Sequence, residues 1–277
     1  MTDETTNPTT PVSVLLAYPC YGSQIFVQFH EQVLQLTHLL QSKGIGWSLF
    51  SIPFDSLIPR ARNACVAHFL SSSHTHLMFI DADIVFRPAD VVRMIMHNKP
   101  IVSGAYPKKG IHIERLAPIW SRDEAVRSTI FERASEYVLE LDPKHPKIES
   151  NLLRVRYTGT GFLMIQREVL ESMRQVYPDR KYELDGVFTP KYEGDVFYDF
   201  FGIGVIQDET LYNNRPFYVS EDWMFCRLAE KAGFPVYVDV SIALSHIGTF
   251  TYKGNYAQHL LETQKGVYVN QEETKPE

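Results

Sequence analysis

The chain has 277 residues, 44% of them hydrophobic and 22% charged, with a formal net charge of −6. That much apolar material buries a sizeable core, which excludes a disordered chain and a disulfide-dependent miniprotein. The acidic balance gives no global field for a nucleic-acid backbone or an anionic membrane, so no nucleic-acid partner is expected.

Residues 1–10 and 267–277 are mostly polar and read as flexible tails around one domain spanning 11–266. The start, MTDETTNPTTP, is acidic and polar, the reverse of a signal peptide. No apolar run approaches the 18 or so residues that span a bilayer. The expectation is a soluble, cytoplasmic protein, with peripheral membrane contact and homo-oligomerisation left open. Cys20, Cys65 and Cys226 are far apart and odd in number, which suits reduced thiols better than a zinc site or a disulfide framework.

In chain order, VSVLLA at 12–17 is a buried-strand run that breaks at Pro19 and Gly22. Ile25 to Gln41 sets Ile25, Phe26, Phe29, Val33, Leu36, Leu39 and Leu40 on one helical stripe, and Gly44 stops it. Trp47–Ile52 is a second strand, Pro59 opens a second helix, LMFI at 77–80 is a third strand, and Pro88 opens a third helix. A fourth strand follows at Pro100–Ala105. Alternating strands and helices at this spacing predict parallel crossovers and an α/β, doubly wound sheet. The second half, 106–266, is less regular: strands at Leu152–Tyr157 and Gly161–Ile165, a helix over Arg167–Val176, a helix over Glu221–Ala232 and a strand over Pro235–Val240. It is expected to complete the sheet and build one wall of a cleft. Residues 106–151, with Lys108, Lys109 and Arg115, are the least legible and suit either a lid or an insertion.

Ligands bind beyond the carboxyl ends of the strands in an open parallel sheet. The third strand runs directly into Asp81-Ala82-Asp83, the one D-x-D in the chain. Two carboxylates so placed can coordinate a divalent cation and, through it, a diphosphate; a turn with Asp83 as a cap would leave the same pattern. Asp55-Ser56-Leu57-Ile58-Pro59-Arg60-Ala61-Arg62-Asn63 enters the second helix, where a helix start and arginine forks favour an anionic group. Asp55 there could accept from a ribose or base, and the bland alternative is a solvated helix start. Ser220-Glu221-Asp222-Trp223 opens another helix; acidic first turns often serve only the helix dipole, but Asp222 or Glu221 at a cleft edge could act as a general base. His246 beside Gly248 could add a metal ligand, although a lone histidine is more often structural.

Taken together, these blocks resemble a glycosyltransferase of the GT-A fold, the family 2-like, nucleotide-sugar-dependent type. The resemblance covers residues 11–250 and rests on ARN at 61–63, MFIDADIVFRP at 78–88, YTGTGFLMIQREVLE at 157–171, and SEDW at 220–223 followed by His246. It implies a GT-A-type, mostly parallel sheet flanked by helices, with 11–105 as the nucleotide-binding half and 106–266 as the acceptor half. It implies a hexosyl- or related transferase that moves a sugar from a nucleoside-diphosphate donor, by default UDP-linked, to an acceptor hydroxyl with Mn²⁺ or Mg²⁺. Asp83 and His246 would bind the metal, with Asp81 on the metal or the ribose. Arg60, Arg62 and Asn63 would hold the nucleotide, with Tyr18 and Asp55 near the base. Asp222, supported by Glu221, would deprotonate the acceptor, giving inversion.

The aromatic stretch 182–218 is the candidate acceptor wall, a packed surface being the alternative. A sugar nucleotidyltransferase would carry a glycine- and arginine-rich loop after its first strand; Ala17-Tyr18-Pro19-Cys20-Tyr21-Gly22 has one glycine and no basic residue. A D-x-D phosphatase and a carboxylate-cluster nuclease fit less well. The non-enzymatic alternative is a nucleotide- or carbohydrate-binding module.

Overall fold

A computed structural model describes residues 11–120, 122–184, 196–207 and 215–263. The first half runs β1 (Ser13–Cys20), α1 (Val27–Ser42), β2 (Gly46–Pro53), α2 (Ile58–Ser71), β3 (His76–Ile80), β4 (Ile84–Val85), α3 (Pro88–Met96) and β5 (Ile101–Gly104). Three short helices follow, α4 (Ile113–Trp120), α5 (Glu124–Arg127) and α6 (Ile130–Ala134). Then come β6 (Leu139–Leu141), β7 (Ile148–Glu149), β8 (Leu152–Thr158), β9 (Phe162–Gln166) and α7 (Arg167–Val176). Short strands β10 (Lys181–Tyr182), β11 (Phe197–Tyr198), β12 (Gly204–Ile206) and β13 (Phe217–Val219) lead into α8 (Glu221–Lys231) and β14 (Val236–Asp239). The described chain ends with β15 (Ser245–Ile247), β16 (Thr251–Lys253) and α9 (Tyr256–Thr263).

The central sheet has the order β2-β1-β3-β9-β5-β14-β8-β6, with β7 also on β8. β1 pairs in parallel with β2 and β3, and β14 with β5. β9 lies antiparallel between β3 and β5, and β8 lies antiparallel beside β14. The fold is therefore α/β with a mostly parallel sheet, and the second half completes it by insertion: β3 and β5 are not neighbours, because β9 separates them. Phe162, Leu163, Met164 and Ile165 are all buried, so β9 reaches the cover it needs on both faces at the middle of the sheet.

Strand alternation sorts the core into two layers. Leu15, Ala17, Leu77 and Phe79 face α2, α7 and α8, among Phe69, Val169 and Phe225. Val14, Leu16, Met78 and Ile80 face α1 and α3, among Phe29, Leu36, Val91 and Met94. Ile25 and Phe26, expected on the first helical stripe, precede α1 and are exposed. Nor does β1 break at Pro19: it pairs with β2 as far as Cys20, while its pairing with β3 stops at Ala17. One flank is open there, a position that tolerates the missing N–H.

The aromatic stretch is described only in part. Residues 185–195 and 208–214 lie outside the described residues, as do the two tails. In the rest of the stretch, Phe197, Tyr198, Phe200 and Phe201 are buried core, with Phe201 stacked on Phe225 at 4.6 Å and edge-on to Phe79 at 5.5 Å. Those rings pack the sheet rather than line a cleft, while Tyr218 is exposed. Within 106–151, α4 and α6 build a satellite core around Ile119, Ile130 and Ala134, with α6 against α9, while β6 and β7 join the central sheet. No helix among the described residues is long and apolar enough to cross a membrane.

Candidate active site

Asp81 and Asp83 leave the carboxyl end of β3 and are fastened separately. The Asp81 N–H donates to the Gly161 carbonyl at 2.8 Å, so the start of β9 fixes it. The Asp83 carbonyl accepts from the Ile247 N–H at 2.8 Å, and β4 pairs with β15 in a register that places His246 opposite Ile84. The two residues just past the D-x-D thus bring His246, far away in sequence, to Asp83.

The two carboxylates diverge. Arg62 Nη2 donates to both Asp81 oxygens at 3.1 Å. Asp83 Oδ2 accepts from Lys109 Nζ at 2.5 Å, and its Oδ1 faces His246 Nε2 at 3.4 Å. His246 Nδ1 lies 3.0 Å from the Pro107 carbonyl; a carbonyl only accepts, so a proton belongs on Nδ1 and Nε2 is turned toward Asp83. Burial would raise the Asp83 carboxyl, but His246 and Lys109 outweigh it and hold it below its ordinary value.

Arg62 is 3% exposed and lies between two acidic blocks. Its Nε is 3.7 Å from Glu221 Oε1, and its guanidinium lies over the Phe79 ring at 5.3 Å. Burial works against its charge, yet Asp81 and Glu221 hold it firmly protonated. Asn63 is buried too: Nδ2 donates to Asp199 Oδ1 at 3.0 Å and Oδ1 accepts from Phe201 N at 2.9 Å. Asp55, 2% exposed, accepts from the Leu57 N–H at 2.9 Å and takes both arms of Arg60 at 2.8 and 2.9 Å. Those contacts hold the start of α2. Arg62 joins Asp81 to Glu221, whereas Asp55 holds the start of α2 and Asn63, tied to Asp199 and Phe201, lines with Arg60 and Tyr182 a separate cleft of about 600 Å³. Tyr18 stands edge-on to Phe29 at 5.3 Å, its hydroxyl pKa raised mainly by burial.

A cleft of about 240 Å³ opens between the end of β1 and the D-x-D, lined by Pro19, Cys20, Tyr21, Phe26 and Asp81–Asp83. Tyr21 and Phe26 are exposed on its rim. Tyr21, Phe26 and Tyr106 were not among the sequence candidates for the site, whereas Lys109 was named within the stretch expected as a lid or an insertion. The signal that would have found them is position: Tyr21 follows β1 and Tyr106 follows β5, both at the carboxyl edge.

Tyr106 explains the glycine-rich block. Its hydroxyl accepts from the Gly161 N–H at 3.3 Å, and its ring is edge-on to His246 at 5.4 Å. A Cβ at Gly159 would stand 2.1 Å from the Tyr106 hydroxyl, and one at Gly161 would stand 2.9 Å from Asp81 Oδ2. Only glycine lets the ring and the carboxylate approach this backbone. Between the two, Thr160 Oγ1 is buried without a hydrogen-bond partner among the described residues, as are Nε and Nη1 of Arg62.

The fourth block starts α8. Asp222 Oδ1 accepts from the Ser220 hydroxyl in a short hydrogen bond and from the Trp223 N–H at 2.8 Å. Its other oxygen takes no hydrogen bond among the described residues. Trp223 stacks on Tyr157 at 4.5 Å, which anchors this helix start to β8. The Glu221 carboxyl stands above its ordinary value, because burial and then Asp222 disfavour its charge more than Arg62 favours it. A raised carboxyl makes the fold lose stability as pH rises through its folded value. Glu221→Gln removes that loss. Its melting temperature relative to the parent is therefore expected to be higher at pH 7 than at pH 4; an offset independent of pH, measured by calorimetry, would count against the assignment.

Asp83 and His246 are brought together, but Asp81 is turned to Arg62, and Lys109 already occupies Asp83. Among the described residues no three His, Cys, Asp or Glu side chains converge to hold a metal ion. The side chains as placed do not fit a resident Mg²⁺ or Mn²⁺ centre.

No protein-family model matches the chain, and no curated protein matches it significantly. Solved structures similar to it include A197 from STIV, 16% identical with a TM-score of 0.44, over 88% of this chain and 95% of that one. Another is a glycosyltransferase involved in the glycosylation of the major capsid of PBCV-1, 10% identical with a TM-score of 0.30, over 61% of this chain and 66% of that one. A third is 4-diphosphocytidyl-2C-methyl-D-erythritol synthase from Anaerococcus prevotii, 9% identical with a TM-score of 0.31, over 80% and 98%. At such identities and TM-scores these likenesses say nothing of this chain's chemistry.

Proposed function

We propose that the chain is a nucleotide-sugar-dependent glycosyltransferase. The observation that supports this most is the convergence of two acidic blocks, Asp81–Asp83 and Glu221–Asp222, which buried Arg62 joins at the carboxyl edge of the sheet. The cleft beside Tyr21 and Asp81–Asp83 is the donor site in this reading, with a nucleoside stacked on the exposed rings and the diphosphate toward Asp83 and His246. In the reaction the bond between the anomeric carbon and the diphosphate oxygen breaks, and its electron pair leaves with the nucleoside diphosphate. The acceptor oxygen bonds to the same carbon, and its proton passes to a carboxylate of the second block, Asp222 by preference because one of its oxygens takes no other hydrogen bond among the described residues. Attack opposite the leaving group inverts the anomeric centre.

Thermal-shift measurements with UDP, GDP, TDP and CDP, each with EDTA or Mn²⁺, test the donor site. A ligand bound only by the folded chain at a hundredfold excess over its dissociation constant adds about 2.7 kcal/mol. One nucleoside diphosphate, UDP by preference, is expected to raise the melting temperature, and Asp83→Ala to reduce the rise. A folded protein that responds to none of the four would remove the reading.

A further inference from the structure

We propose that Lys109 is the cationic contact for the donor's diphosphate, in the position where a divalent cation would otherwise neutralise the leaving group. The proposal rests on the glycosyltransferase reading above. A diphosphate and the Asp83 carboxylate repel each other, so they share a site only with a positive charge between them. The chain supplies one: Lys109 Nζ lies 2.5 Å from Asp83 Oδ2. Asp81, the second carboxylate a bridging metal would call on, is held on both oxygens by Arg62.

Lys109 is not a drifting surface lysine. Its turn is closed by a 2.9 Å hydrogen bond from Gly110 N to the Lys108 carbonyl. It is fastened on one side by the Pro107–Tyr137 bridge and on the other by His246 Nδ1 at the Pro107 carbonyl. The lysine stem crosses Gly248 so closely that a Cβ there would lie 3.2 Å from Lys109 Cδ. Its neighbour Lys108 is instead drawn away to Glu136 at 3.3 Å. An ammonium has three donors. With one on Asp83 and the side chain still 39% exposed, Lys109 keeps others for phosphate oxygens, and Asp83 becomes the residue that aims it.

The test uses the full chain and whichever of the four nucleoside diphosphates binds it, titrated by calorimetry in EDTA and in Mn²⁺, with the matching nucleoside as control. The parent is expected to bind the diphosphate in EDTA. Lys109→Ala should weaken that binding by roughly tenfold to a hundredfold, the range of a hydrogen bond to a charged group. Nucleoside binding should be unmoved, and Lys109→Arg should restore part of the loss. Parent binding that requires Mn²⁺, or unchanged diphosphate affinity in Lys109→Ala, would overturn the role of Lys109 and leave the donor site standing. If the parent binds no nucleoside diphosphate in either buffer, both readings fall.

Discussion

Gly159→Ala is expected to destabilise the fold by about 3 kcal/mol or more, the upper range for forcing atoms into a packed interior. In a chain of this size that lowers the melting temperature by roughly 6 °C or more. The added Cβ would meet the Tyr106 hydroxyl at 2.1 Å and its Cζ at 2.6 Å. Neither neighbour can yield cheaply, because Tyr106 is 8% exposed, holds the Gly161 N–H and packs against His246. Adding Tyr106→Phe removes the nearest atom but leaves the ring, so the double variant should recover part of the loss, a non-additivity readable in a mutant cycle. Additive losses would mean that Gly159 matters for some reason other than Tyr106.

Much of this was legible in the sequence. The alternation in VSVLLA and LMFI separates side chains that face α2, α7 and α8 from those that face α1 and α3, and Arg167–Val176 is helical over its expected span. The insertion of β9 was not legible, since FLMIQ carries the same apolar pattern whichever way it runs and whatever it pairs with. At the site, Asp81, Asp83, Glu221 and Asp222 could be picked out because each ends a strand or starts a helix at one sheet edge. The pairing of His246 with Asp83 depends on β4–β15 register, which composition does not encode. At Asp55 a carboxylate before a helix has two uses, a ligand contact or the helix start, and the structure shows it accepting from the N–H two residues on. Phe197, Tyr198, Phe200 and Phe201 take the packed alternative for a similar reason: a ring that can stack on a sugar can equally fill a core.

Asp222→Asn separates an enzyme from a binding module that kept the fold. The substitution is close to isosteric, and the amide oxygen can still accept from the Ser220 hydroxyl and the Trp223 N–H that Asp222 Oδ1 now serves. The start of α8 is therefore expected to survive, and nucleoside-diphosphate affinity to stay within about threefold, well under the tenfold that one ion-strength contact carries. What the amide cannot do is take a proton, so sugar transfer should fall by about 10²–10⁴-fold, the usual worth of a positioned general base. Radiolabelled donor turnover and nucleotide titration on the same preparation read the two quantities. Glu221 is the built-in comparison: it faces Arg62 on the donor side, whereas Asp222 presents an oxygen with no other hydrogen bond among the described residues, so Glu221→Gln should lose less transfer. The reverse order would move the base to Glu221. Equal loss of binding and transfer in Asp222→Asn would make Asp222 a helix-start residue and leave the acceptor's proton without a recipient in this block.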